Sequence, residues 1–223
     1  MHPLVKAYKE EFKINSNSED AIQMQRYMKS SMPYYGVRSP IKKKIDLRLK
    51  KKFELKNFDE WYLVINELWD AQYREERYAA MTVLSQYKIY HTLKIVPLIE
   101  HLIVTGAWWD FIDGLAPNTV GSLLKKYPKE MRKTLESWNN SKQMWLRRAY
   151  ILSQLKFKSE TDEKLLYSFI RNRMHEDEFF IRKAIGWAFR EYSKTNKESV
   201  RDFISENKNE LSKLSIKEGS KYI

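Results

Sequence analysis

Two residue pairs in this sequence set an indole and a charge four positions apart: Trp109 with Asp113, and Lys183 with Trp187. On a helix, residues i and i+4 share a face, so each pair presents ring and charge together. Arg148 stands 35 residues after Asp113 and 35 before Lys183, and Arg190 follows Trp187 by three. An ionised carboxylate stabilises positive charge that develops during a reaction. An indole face attracts a cation, worth about 1–2 kcal/mol once water is excluded. Each residue also has a purely structural explanation. Tryptophan at helical spacing is most often core, and Asp113 with Arg148 could be an ion pair between neighbouring helices. Together they are harder to dismiss, because an acid on a basic surface repels phosphate and so has some other task.

The elements that position these residues are helices. Apolar residues recur at helical spacing in Pro3–Lys13, Ser18–Ser30, Pro40–Lys52, Phe58–Leu68, Arg74–Tyr87, Thr92–Val104, Trp109–Lys126, Pro128–Trp138, Lys142–Leu155, Asp162–Met174, Glu178–Lys194 and Lys197–Asn207. Asn57 or Asp59, Ser141, Asp162 and Asp177 are candidate caps, and Pro128 a first-turn proline. Residues 32–40 form the long irregular stretch, and the tail is ambiguous. Trp145-Leu-Arg-Arg-Ala149 matches Phe180-Ile-Arg-Lys-Ala184 at an offset of 35, and Glu76-Arg77-Tyr78-Ala79 fits two steps earlier. Tyr78, Asp113, Arg148 and Lys183 are then equivalent positions. The expected fold is all-α: a HEAT-like repeat α-solenoid of about six antiparallel helix pairs with a basic concave face, forming one domain over residues 1–223. A generic helical bundle is the alternative.

In that register Asp113, Arg148 and Lys183 stand side by side, bringing Trp109 and Trp187 onto the same patch. Lys plus Arg total 41 against 29 Asp plus Glu, a net charge of +12, which predicts an anionic partner with nucleic acid ahead of a membrane surface. Between Gly36 and Lys56, nine basic residues including Arg38 and Lys43 face only Asp46 and Glu54. Such a run is a solvated helix face or a phosphate-binding one. The absence of cysteine excludes disulfides and thiolate metal sites. The four histidines share no i, i+4 pair, so no metal is expected. No cleavable signal and no apolar run of membrane length is present, which reads as cytoplasmic.

Longer motifs carry a resemblance. Ala107-Trp108-Trp109-Asp110-Phe111-Ile112-Asp113 is similar to the Trp-Trp-Asp-x-Val-Asp segment of the DNA alkylation repair family, the HEAT-like-repeat alkylpurine DNA glycosylases. Trp145-Leu-Arg147-Arg148-Ala149 resembles that family's Trp-Leu-x-Arg-Ala motif. The stretch from Phe179 to Tyr192 resembles its Phe-Phe-Ile-x-Lys-Ala-Ile-Gly-Trp-x-Leu-Arg-Glu-Tyr motif. The similarity runs to about residue 215. Departures are Ile112 for a valine, Tyr150 for a small residue, Arg38 where a glutamine is frequent, and a short tail after Leu214.

The resemblance implies a monofunctional glycosylase, without metal or cofactor, that excises positively charged N3- and N7-alkylpurines from duplex DNA by hydrolysing the N-glycosidic bond, without base flipping. Asp113, Trp109 and Trp187 take the catalytic positions. Arg148 takes that of the phosphate-binding arginine, with Lys183, Arg190, Arg38, Lys43, Tyr27 and Lys156 as further DNA contacts. The expected partner is double-stranded DNA containing alkylated purines, bound by a monomer with no obligate protein partner. Two rivals remain: a non-catalytic HEAT-repeat protein for branched or bent DNA, and a scaffold for an acidic protein.

Overall fold

Helix starts in this chain are written in short polar side chains. Asn17, Asn57, Asp162, Asn196 and Ser212 each accept a hydrogen bond from a backbone N–H in the first turn of the helix that follows, satisfying donors that a helix leaves unpaired. Asn57 rather than Asp59 is thus the cap of its helix. Asp177 caps nothing and pairs with Arg182 instead. Ser141 accepts from Gln143 N, ahead of a helix that begins at Met144.

The computed structural model describes residues 1–223, all helix and connections with no strand. The all-α solenoid class expected from the repeats is the one found. No helix is long and apolar enough to cross a membrane. The chain divides into two compact units, Met1–Tyr90 and His91–Ile223.

The first unit comprises α1 (Pro3–Ile14), α2 (Ser18–Met28), α3 (Ser39–Lys52), α4 (Phe58–Trp69) and α5 (Arg74–Gln86). The inner faces of α4 and α5 meet through Trp61, Val64, Ile65 and Leu68 on one side and Ala79, Ala80, Val83 and Leu84 on the other, all at most 1% exposed. Val5, Tyr8 and Phe12 of α1 join this core. The irregular stretch before α3 is not a loose loop: Tyr34, Tyr35, Gly36 and Val37 are buried. The Glu75 carboxylate accepts from the backbone N–H groups of all of Tyr35, Gly36 and Val37, at 2.9–3.1 Å. Gly36 has φ +84°, and a Cβ there would lie 1.9 Å from the Asn17 carbonyl oxygen. Only glycine fits.

The second unit comprises α6 (Val96–Gly106), α7 (Trp109–Leu115), α8 (Gly121–Lys126), α9 (Pro128–Asn139), α10 (Met144–Leu152), α11 (Glu163–Arg173), α12 (Phe179–Tyr192), α13 (Lys197–Glu206) and α14 (Lys213–Gly219). The sequence reads Trp109–Lys126 as one helix, but a π-helical turn over Ala116–Val120 divides it into α7 and α8. Pro117 has no N–H to donate, so the regular ladder is broken there. The ambiguous tail supplies α14, which packs along α12. Helix α10 is central, touching α6, α7, α9, α11 and α12.

Candidate active site

The site is assembled from α7, α10 and α12, and an aromatic cluster fixes the starts of all three. Trp108, immediately before α7, lies 6.1 Å from Trp145 of α10 and 5.9 Å from Phe180 of α12, ring centre to ring centre; Trp145 and Phe180 are 4.9 Å apart. The first tryptophan of the Trp108-Trp109 pair is therefore a packing residue. The second is not. Trp109 and Trp187 are both half-buried, and neither ring stacks against another aromatic side chain.

Asp113 of α7 faces Arg148 of α10. The guanidinium Nε donates to Oδ1 at 2.8 Å and Nη2 to Oδ2 at 2.9 Å, a two-point contact that fixes the carboxylate plane. The remaining terminal nitrogen of Arg148, Nη1, donates to the Phe180 carbonyl of α12. One side chain thus ties three helices together. Arg148 is 4% exposed and Asp113 17%. Burial pushes the Asp113 carboxyl above its ordinary range; the facing Arg148 charge pulls it back down, and Asp110 adds a further upward push. The arrangement is a partly accessible carboxylate held in a fixed plane; Trp109 stands one helical turn before it on α7 and Trp187 one turn after Lys183 on α12, both half-buried.

The resemblance gives Arg148 a backbone phosphate to hold; in the protein itself its guanidinium is buried and engaged by Asp113 and a main-chain oxygen. Its place beside Asp113 is what the 35-residue register required, and the ion-pair alternative describes the contact correctly. The two other cations of the register are also paired. Lys183 Nζ lies 3.1 Å from a Glu218 carboxylate oxygen, and Arg190 Nη1 lies 3.7 Å from the other. Both stay partly open, at 37% and 28% exposed.

The remaining expected contacts are scattered over the two units. Lys156, after α10, is exposed and donates to Asn118 Oδ1 at 2.7 Å. It borders a cavity of about 290 Å³ with Lys158, Tyr192 and Lys194, and none of the Asp113 group lines that cavity. In the first unit, Tyr27 projects from α2 at 75% exposure. Lys43 is exposed on α3. Arg38 makes a two-point contact to Asp20, at 2.7 and 2.5 Å, and remains 63% exposed. Within the same basic run Lys42 turns inward, bonded to Asp46 and Thr82. Sequence reasoning missed Glu218 altogether. The signal was available, since 218 is one more step of 35 beyond Lys183.

Comparisons with known proteins agree on one relationship. The family model for the DNA alkylation repair enzyme matches residues 8–223. A solved structure described as a predicted DNA alkylation repair enzyme from Enterococcus faecalis superposes with a TM-score of 0.86 at 30% identity, covering 94% of this chain and 97% of that one. No curated protein sequence matches.

Proposed function

The chain belongs to the DNA alkylation repair enzyme family, and from that premise we propose that it is a monofunctional glycosylase excising cationic N3- and N7-alkylpurines from duplex DNA. The observation that carries this reading is the Asp113 carboxylate, held at two points by Arg148 and still 17% exposed. A carboxylate serving only as a strut has no need of that opening, and half-buried Trp109 stands one helical turn before it on α7.

The chemistry follows from the substrate's charge. An N3- or N7-alkylated purine is already positive, so when the bond from C1′ to the base nitrogen breaks, the base keeps the electron pair and leaves neutral. No acid is needed to protonate it, unlike ordinary glycoside cleavage. The sugar is left with oxocarbenium character. Ionised Asp113 stabilises that charge and orients a water whose oxygen bonds to C1′, its proton passing to the carboxylate or to solvent. The ring faces of Trp109 and Trp187 attract the cationic lesion. Arg148 acts through Asp113, by fixing its plane.

We assign the backbone contacts to Lys183, Arg190 and Lys156, and in the first unit to Tyr27, Arg38 and Lys43. Phosphate contacts set register rather than sequence preference. In this reading a monomer acts in the cytoplasm on duplex DNA, with catalysis on a stacked base, so cationic lability of the lesion rather than base shape selects the substrate.

The test is base release from duplexes carrying N7-methylguanine, N3-methyladenine or neutral ethenoadenine. The wild type releases the first two and not the third, and Asp113→Asn releases none while binding duplex at least as tightly. Comparable release of ethenoadenine overturns catalysis on a stacked base. If the wild type releases no methylated purine, the non-catalytic DNA-binding reading takes its place.

A further inference from the structure

Glu218 is the most heavily paired carboxylate of the second unit outside the Asp113 site. Lys221 donates to it at 2.8 Å, Lys183 lies at 3.1 Å and Arg190 at 3.7 Å, while the carboxylate itself is 14% exposed. These cations hold its carboxyl down at about 2, chiefly through the hydrogen bonds from Lys221 and Lys183. Its register position is that of Asp113, Arg148 and Lys183, but its partners are the opposite of what the Asp113 pair offers. Arg148 is buried; Lys183, Arg190 and Lys221 are 37%, 28% and 44% exposed.

The carboxylate is not what docks α14. A Cβ at Gly186 of α12 would come within 2.5 Å of the Glu218 Cβ and 3.0 Å of the Ser215 carbonyl oxygen, so glycine permits the backbone of α14 to lie directly on α12. The Ser215 hydroxyl donates to the Arg182 carbonyl at 2.9 Å, and Gly219 sits against the Phe189 ring. Close packing of this kind holds the helix whether or not position 218 is charged. What the charge does is neutralise cations that would otherwise face solvent.

We propose that Lys183, Arg190 and Lys221 form a subsite for a phosphodiester, in which the Glu218 carboxylate is the resident counter-anion that a backbone phosphate displaces. The inference rests on the DNA-binding reading above. Carboxylate and phosphodiester carry one negative charge each and accept from the same ammonium and guanidinium donors, so one replaces the other without new protein contacts. The free protein then shows a weakened field to arbitrary DNA, and the bound phosphate has a competitor ready to release it.

Glu218→Gln preserves the side chain's shape and removes its charge. The expected result is tighter binding of undamaged duplex, by roughly 3- to 10-fold at low salt, the size of one charge acting across a partly solvated gap, with a steeper salt dependence. In a Lys183→Gln, Arg190→Gln, Lys221→Gln background the same substitution changes affinity less than about 2-fold, because its partners are gone. Equal or weaker binding by Glu218→Gln in the native background overturns the subsite. If that variant does not fold, the isotope-labelled Glu218 carboxyl carbon of the wild type answers instead: its resonance moves as duplex is added, and an unmoved resonance at saturation overturns the proposal. A wild type that binds no duplex defeats the DNA reading and this one with it. A wild type that releases N7-methylguanine beside an unaltered Glu218→Gln affinity defeats only the subsite.

Discussion

The Asp113–Arg148 pair does two things at once, and substitution separates them. Removing one partner of a buried ion pair leaves the other charged and unmatched, at a cost of about 3–5 kcal/mol. Arg148→Met is therefore expected to lower unfolding free energy by that order in urea denaturation, and a loss below about 1 kcal/mol would show that the pair is not structurally important. The same variant tests the pH response. Only ionised Asp113 stabilises a sugar cation, so base release falls as pH drops through its midpoint, which lies above the ordinary 3.8. Without Arg148 the downward pull is lost, and the acid limb of the rate profile moves to higher pH in the folded fraction. At Gly36 the argument is conformational: φ of +84° and a contact of 1.9 Å leave no room for a methyl. Gly36→Ala is expected to cost about 2 kcal/mol or more, measured as a lower urea midpoint.

At the scale of elements, the roles of neighbouring tryptophans divide by helix packing. Trp145 is 8% exposed, within the cluster joining α7, α10 and α12. Trp145→Ala is expected to lose about 3 kcal/mol or more through cavity formation. Trp109→Ala leaves that cluster intact and is expected to lose base release with a much smaller change in stability; the reverse ranking would exchange their roles. The ion cluster around Glu218 has its own pH signature. The Glu218 carboxyl sits at about 2 in the folded protein against an ordinary 4.5, so its contribution to stability is present above about 4.5 and lost as pH falls toward 2. Glu218→Gln consequently removes stability near neutral pH, and its melting temperature converges with that of the wild type near pH 2.

Across the whole molecule, net charge of +12 sets how the protein meets DNA. If Arg38, Lys43, Lys156, Lys183 and Arg190 each neutralise a phosphate, affinity for duplex falls with salt at a log–log slope of about −4.5, and Lys43→Gln makes the slope shallower by about 0.9. A slope near zero, read by fluorescence anisotropy between 50 and 200 mM salt, would remove DNA as the partner. Helical class, the positions of most helices and the 35-residue register were legible before any coordinates, because burial of one face forces apolar periodicity on each helix. The break at Pro117 and the existence of α14 were less legible. A proline is compatible with either a kink or a π turn, and the tail's pattern is short.

Sequence by itself determined one neighbouring pair: Arg148 bonds Asp113 across the expected spacing of 35. Spacing constrains neighbours along a stack of helices, since equivalent positions recur on equivalent faces. It does not say how far each side chain is from water or which of several partners wins. That depends on groups distant in sequence, and only the tertiary structure decided it. The Phe180 carbonyl takes the third nitrogen of Arg148, so that this side chain braces the Asp113 carboxylate. Glu218 takes Lys183 and Arg190 because Gly186 lets two helix backbones touch.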